Sequence, residues 1–270
     1  MTKVIVSSGL DRFSSLDFRF LQEAAKFGEV HVLLWSDQAI RGITGREPEF
    51  SQVERAYVNQ AVRYVTQVHL SDAKVDPDAL PARLPFRPDA WVIDEAGNSA
   101  ARQAFCAAAG LACRLLSSRD LAGFPEPAPE PMSGRKKVIV TGCYDFFHSG
   151  HVRFFEEASE LGDLFVVVGN DENVRLLKGA GHPLFTAAER RFNVGAVRYV
   201  KQALVSTGMG WMDAEPEIAR IKPDLYVVNE DGDKPEKRQF CRKQGIEYVV
   251  LKRLPKEGLT RRTSTDLRGF

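Results

Sequence analysis

The chain has 270 residues, 44% of them hydrophobic and 27% charged, proportions of an ordinary folded protein that exclude wholesale disorder. Thirty-seven basic against thirty-six acidic side chains leave a formal net charge of +1, so no global field draws the chain to nucleic acid or to an anionic membrane, and only a local basic pocket is compatible with that balance. No apolar run approaches the roughly 20 residues of a membrane span, and the length suits two domains better than one.

The first predicted elements are a β-branched strand from Val4, a Ser/Gly turn, a helix and an apolar strand. Together they form residues 4–37, VIVSSGLDRFSSLDFRFLQEAAKFGEVHVLLWSD. The same series returns at residues 138–171, VIVTGCYDFFHSGHVRFFEEASELGDLFVVVGND, without a gap and at an offset of 134 (residue 4 with residue 138). Glu54, Arg55 and Arg63-Tyr64-Val65 then match Glu189, Arg190 and Arg198-Tyr199-Val200 at an offset of 135 (residue 54 with residue 189). That offset also pairs Pro88-Asp89 with Pro223-Asp224 and Phe105-Cys106 with Phe240-Cys241, which places a one-residue indel between residues 37 and 54. A register kept over about a hundred residues marks a duplicated domain, because the period far exceeds the roughly 20–50 residues of repeat arrays. The four cysteines, Cys106, Cys113, Cys143 and Cys241, form no CxxC and no metal-ligand spacing, and read as free thiols of a reducing cytoplasm.

The segment FPEPAPEPMSGRKK (124–137) is rich in proline, which favours an extended, semi-rigid spacer. The predicted layout is therefore a first domain over 1–122, a linker over 123–135 and a second domain over 136–270. In the second copy the strand Val138–Thr141 leads into a turn and a helix over roughly 150–161 that ends at Gly162. An apolar strand follows over 164–169, then a helix from near Thr186, a strand near 202–206, a helix near 214–221, a strand over 225–228, a helix near 235–244 and a strand over 248–251. Wholly apolar strands alternating with helices imply an α/β fold, here two tandem Rossmann-like domains, each a doubly wound parallel sheet covered on both faces. Ligands of such sheets bind beyond the carboxyl ends of the strands, where the first turn of each copy falls.

In the second copy that turn reads Gly142-Cys143-Tyr144-Asp145-Phe146-Phe147-His148-Ser149-Gly150-His151. Helix-start amides attract anions, imidazoles there can donate to phosphate oxygens, and Gly150 lets the backbone approach a ligand. Two surface histidines that are neighbours by accident remain the plain alternative for an isolated HxGH. A zinc site is disfavoured, since no third ligand lies nearby. Asp145 reads equally as a ligand-side residue and as an Asx turn capping the loop.

The strand before this turn and the helix after it give the segment the context in which it resembles the HxGH nucleotidyltransferases, most closely the cytidylyltransferases. Their pattern G-x-[FY]-D-x-[FL]-H-x-G-H is met in full, and the next strand ends in Asn170-Asp171-Glu172. Lys178-Gly179, Glu189-Arg190, Arg198-Tyr199-Val200 and Pro223-Asp224 continue the resemblance. Arg262-Thr263-Ser264-Thr265-Asp266-Leu267-Arg268 is similar to the second signature, ISSTxxR. The resemblance implies that His148 and His151 contact the nucleotide's phosphates and stabilise charge as pyrophosphate leaves, with Lys178 as a further point charge. It implies that Gly142, Cys143, Tyr144, Asp145 and Gly150 form the nucleotide-binding turn, and that Arg262, Thr263, Ser264, Thr265 and Arg268 hold the triphosphate. Asn229, Glu230 and Asp231, in the loop after a buried strand, and Arg198 are the residues it suggests for the acceptor. The charged loop reads equally as a solvated turn. Mg²⁺ is expected with the nucleoside triphosphate, held by substrate oxygens, with no protein ligand named.

Arg262, where the signature has Ile, and Lys201, where cytidylyltransferases tend to have Asp, make the site more basic than usual and weaken the choice of CTP over ATP. In the first copy Ser14, Leu16 and Asp17 stand where the second has His148, Gly150 and His151, so the first domain is expected to be inactive. Tandem copies also occur in ethanolamine-phosphate cytidylyltransferases, which the layout resembles. The expected activity is transfer of CMP from CTP to a phosphorylated small alcohol or sugar with release of pyrophosphate. Two alternatives stay open: an adenylyltransferase with ATP as donor, and a non-catalytic nucleotide-binding protein. The expected partners are the nucleoside triphosphate and the small acceptor, with no nucleic acid and no membrane. An intramolecular pseudo-dimer is expected, and a homodimer is left open.

Overall fold

The computed structural model describes residues 2–126 and 128–263, divided into two compact units, Met1–Gly123 and Phe124–Phe270. In the first unit the elements are β1 (Lys3–Ser8), α1 (Ser15–Ala24), β2 (Glu29–Leu34), α2 (Asp37–Thr44), α3 (Gln52–Ala61), β3 (Val65–Leu70), β4 (Ala90–Asp94), α4 (Ala100–Ala109) and β5 (Ala112–Leu116). In the second they are β6 (Lys137–Gly142), α5 (Ser149–Glu160), β7 (Asp163–Val168), α6 (Asp171–Lys178), α7 (Ala187–Gly195), β8 (Val200–Val205), α8 (Glu215–Ile221), β9 (Leu225–Asn229), a 3₁₀ turn (Glu230–Gly232), α9 (Pro235–Gln244) and β10 (Glu247–Leu251).

Each unit holds one five-stranded parallel sheet, in the orders β3-β2-β1-β4-β5 and β10-β9-β6-β7-β8. Numbered from its own first strand, each sheet has the same doubly wound order, 3-2-1-4-5. The central strands are buried on both faces, as their unbroken apolar runs require: every residue of β7 is buried. Helix starts follow the local chemistry. Ser14, Ser36, Ser51 and Ser99 cap α1 to α4, and Asn170 and Thr186 cap α6 and α7, each side chain accepting an amide in the first turn.

One arginine in each unit ties the first turn of the fold to the rest. Arg190, fully buried, donates to the carbonyls of Phe185 (2.9 Å), Cys143 (2.6 Å) and Gly169 (2.8 Å) and to Asp171 Oδ1 (2.7 Å). Arg55, also fully buried, donates to Phe50 O (3.0 Å), Gly9 O (2.7 Å), Trp35 O (2.8 Å) and Asp37 Oδ1 (2.8 Å). These are the partners that the two sequence offsets pair, so the duplication extends to individual hydrogen bonds.

Three features differ from the sequence reading. The helix α6 was not anticipated. The proline-rich segment runs along the second unit: Phe124 packs on Phe192 (5.9 Å between rings), the Glu130 amide donates to Lys201 O (2.9 Å), and Ser133 bonds the Asp163 carboxylate through its amide and hydroxyl (2.7 and 2.8 Å). In the first unit no helix forms between β3 and β4; Leu80, Leu84 and Phe86 of that irregular segment pack instead around Trp91 and Cys106. All four cysteines are free, and no helix among the described residues is long and apolar enough to cross a membrane.

Candidate active site

In the second unit the chain leaves β6 for β7 and β8 on one side, then returns to β9 on the other. The carboxyl ends of β6 and β9 therefore part, and a cavity of about 200 Å³ opens there, lined by Thr141, Tyr144, His148, Gly150 and His151 from the β6 side and by Val228, Asn229, Asp231, Gly232 and Lys237 from the β9 side, with Arg253 and Phe154.

The turn after β6 has a shape that its residues dictate. Tyr144 takes a positive φ of 54°, and its ring covers Gly142 so closely that a Cβ there would sit 2.7 Å from it. The hydroxyl of Tyr144 is buried without a hydrogen-bond partner, and burial raises its pKa far above the usual value. Asp145 is buried and spends its carboxylate on the amides of Leu184 (2.9 and 3.0 Å) and Phe185 (3.0 Å), with His182 Nδ1 at 3.6 Å. It thus fastens the loop before α7, a long-range tie in place of the expected Asx turn. Cys143 contributes its carbonyl to Arg190 and keeps its sulfur 3.9 Å from the same guanidinium.

His148 is the N-cap of α5, and its Nδ1 accepts the Gly150 amide at 3.1 Å. With Nδ1 accepting, a neutral ring carries its proton on Nε2. His151 stacks on it, with 3.9 Å between ring centres, and has a buried Nδ1 without a partner. Burial holds the His151 pKa well below 6.5, assisted by His148 and by the charges of Arg253 and Lys178. The pair stands at the positive end of α5, with His151 held toward its neutral form. Gly150 is required by this packing: a Cβ there would lie 2.9 Å from the His148 ring and 3.5 Å from Arg262 O.

That last contact brings the second signature to the first. Arg253 joins both sides of the cavity, donating to Arg262 O at 3.2 Å and pairing with the Asp231 carboxylate. Lys178 ends α6 exposed, near enough for its charge to act on His151. Arg262 and Thr263 lie in the same chain segment; Ser264, Thr265 and Arg268 lie outside the described residues. Asn229 and Asp231 line the cavity, whereas Glu230 is exposed and does not. Arg198 is a correction. It is exposed before the amino end of β8, and since all strands run parallel, that is the edge of the sheet opposite the crevice. Its match in the motif reflects the turn into β8, not the site.

Arg253 and Lys237 are cavity residues that the sequence did not single out. Among the described residues no three His, Cys, Asp or Glu side chains converge to hold a metal ion, and the one acid of the cavity wall is paired with Arg253. The described residues therefore build no protein cage for Mg²⁺.

The cytidylyltransferase-like family model matches residues 139–262, from β6 through Arg262. The chain is 38% identical over 125 residues to a FAD synthase of Ferroglobus placidus, covering 78% of that protein and 45% of this chain. It is 37% identical over 123 residues to a FAD synthase of Thermococcus kodakarensis, covering 80% of that protein and 44% of this chain. It is 41% identical over 110 residues to the bifunctional protein HldE of Aeromonas hydrophila subsp. hydrophila, which amounts to 22% of that protein and 39% of this chain. A family match that begins in the strand bearing the histidine turn and ends where the terminal segment crosses it, together with this depth of likeness, makes the chain a member of the cytidylyltransferase-like nucleotidyltransferases, and an enzyme of nucleotidyl transfer.

Proposed function

We propose that the second unit transfers AMP from ATP to a phosphorylated small molecule, releasing pyrophosphate, and that the first unit is a degenerate copy without this activity. The observation that carries transfer is the stacked His148–His151 pair at the head of α5, under the Arg262 segment and open to the switch-point cavity. The phosphate monoester of the acceptor attacks the α-phosphorus in line and the bond to the pyrophosphate oxygen breaks. No protein nucleophile is needed, and catalysis is positioning and charge stabilisation. His148 Nε2–H donates to the α-phosphate as charge grows there. The positive end of α5 and the cations Lys178 and Arg262 hold the leaving pyrophosphate. Mg²⁺ bound with the triphosphate would lower the charge that the protein must offset, with no protein ligand required among the described residues.

The relatives support ATP as the donor. FAD synthase, the relative matched over about four-fifths of its length, forms an adenine dinucleotide, and so favours AMP over CMP. The second reading, CMP from CTP, is favoured by the family model and by the GCYDFFHSGH turn. Pyrophosphate release with Mg²⁺ and each of ATP and CTP against a panel of phosphate monoesters separates them. Release with ATP at least about tenfold faster in kcat/KM is expected, and preference for CTP by that factor reverses the assignment.

A further inference from the structure

One face of the second sheet carries an apolar layer made by Phe165 of β7, Leu204 of β8 and Ile221 of α8, all buried in a single cluster. The offsets of 134 and 135 set His31 of β2, His69 of β3 and Phe86 at the same three places in the first unit. The strand registers agree, since Leu33 pairs with His69 as Val167 pairs with Leu204. The fold therefore fills this layer with apolar side chains in one copy and with two imidazoles under a phenyl ring in the other.

The three rings of the first unit lie against one another, with 4.0 Å between the centres of His31 and Phe86, 5.1 Å for His69 and Phe86, and 5.3 Å for the two imidazoles. His31 Nδ1 and His69 Nε2 are 3.0 Å apart and share one hydrogen bond. Whichever ring donates, His31 Nε2 is buried without a partner, and the residue is only 6% exposed. A proton added to His31 leaves a charged N–H there with nothing to receive it. Burial lowers the pKa of His31, with Lys3 of β1 adding to the effect and Glu29 of β2 opposing it; burial, then His31, lowers that of His69. What covers the pair is weakly held. Phe86 lies in the irregular stretch between β3 and β4, where residues 80–88 make no backbone hydrogen bond among the described residues, and Leu80, Leu84 and Phe86 hold to the sheet by packing alone. The matching stretch of the second unit forms α8.

We propose that the His31–His69 pair is an acid-sensitive latch: neutral, it holds Phe86 and the 80–88 segment against the sheet, and protonated, it releases them and uncovers the face around Trp91. The direction follows from linkage. In the open form each ring binds a proton with the ordinary value of 6.5, which the closed form resists, so the closed form is fully favoured above 6.5 and loses ground as pH falls below it. Each ring that stays neutral when closed multiplies the open population about tenfold between about pH 7.5 and 5.5, and the two together up to about a hundredfold. The latch belongs to the first unit and is independent of transfer by the second.

The test is trypsin cleavage of the full-length protein after Arg83, which lies exposed within the segment, followed by mass spectrometry at about pH 7.5 and about pH 5.5. Dividing each rate by that of a free peptide of residues 77–92 removes the protease's own pH dependence. The normalised rate should rise at least about tenfold on acidification, with no rise after Arg220 of α8. His31→Phe with His69→Leu, which installs the second unit's residues, should hold the rate constant, and His69→Leu alone should leave a rise of about tenfold or less. An unchanged rate in the wild type overturns the proposal. So does a rise that persists in the double variant, or one shared by Arg220, which marks general unfolding. Should the double variant fail to fold, Phe86→Ala decides the matter: cleavage after Arg83 should then run at the wild-type acid level at both pH values, and a remaining rise of about tenfold overturns the latch.

Discussion

His148 serves the fold as an N-cap and, in the proposed transfer, the chemistry, and the two roles separate by substitution. Its Nδ1 accepts the Gly150 amide as an N-cap, while in the proposed transfer its Nε2 donates to phosphate. His148→Ala should lose about 1 kcal/mol of stability from the cap and about a hundredfold or more in kcat. His148→Asn restores a capping oxygen without the Nε2 donor. Its denaturation midpoint should return to the wild-type value while pyrophosphate release stays at the alanine level; recovery of both would leave the ring with no role beyond the cap. His151 leaves a mark on pH dependence. Its folded pKa lies well below 6.5, so between the two values the unfolded chain binds a proton that the folded chain does not. Stability conferred by the neutral ring is complete above 6.5 and is lost as pH falls through the window beneath it. His31 and His69, in contact at 3.0 Å, have pKa values lowered by burial and act in the same direction. The difference in melting temperature between wild type and His151→Asn, followed from pH 7.5 to about 5, therefore isolates the residue. The wild type should fall more steeply; parallel curves would mean that His151 is not held neutral.

Among the elements, the two arginine clamps carry the sharpest contrast. Replacing Arg190 with Ala strands three carbonyls and unhooks the turn after β6 from the loop before α7, at a cost of about 3 kcal/mol or more. Arg55→Ala should cost a similar amount, yet only Arg190→Ala should abolish transfer, and lysine should rescue neither, because one ammonium cannot span four acceptors. Chemical denaturation and turnover of the four variants measure this; equal activity loss from both alanine variants would give the first unit a part in the reaction. These clamps were legible in the sequence as Arg55 and Arg190 at one offset, and so were the parallel sheets, because apolar strands and repeated spacing are local signals. The helix α6 was not. Its Leu176 and Leu177 are 66% and 58% exposed, against the expected amphipathic pattern, and it is fixed by Asn170 and by Asn173, which exchanges hydrogen bonds with Gly210 (3.0 and 2.7 Å). Arg198 shared a motif with the site and landed at the far edge of the sheet. Arg253 and Lys237 look like two among thirty-seven basic residues until the sheet order brings the ends of β6 and β9 together. The available signal was the retained cation at positions 102 and 237, beside a changed Asp94/Asn229.

Taken as a whole, the molecule repeats one scaffold and equips one copy. Where His148, Gly150 and His151 stand in the second unit, the first has a closed capping box. The Ser14 hydroxyl accepts the Asp17 amide at 3.1 Å, and the Asp17 carboxylate takes the Ser14 amide and hydroxyl at 3.0 and 2.8 Å. The Asp17 amide is therefore occupied, and a half-buried acid stands at the head of α1. Burial, with Asp94 nearby, raises the Asp17 pKa, but the first unit gains no donor from that. Nucleotide should consequently stabilise one unit alone. At a hundred times its dissociation constant it adds about 2.7 kcal/mol to the state that binds it. Hydrogen exchange with Mg²⁺ and ATP, read by peptide, should slow in β6, α5 and β9 and remain unchanged in β1, α1 and β4. Slowing confined to the second unit fits a scaffold whose first copy has traded its ligands for internal bonds. Slowing in both would mean either that the first crevice binds nucleotide despite Asp17 or that the units are energetically coupled, and Asp17→Asn divides those cases: stronger protection of α1 in that variant marks direct binding, and an unchanged pattern marks coupling.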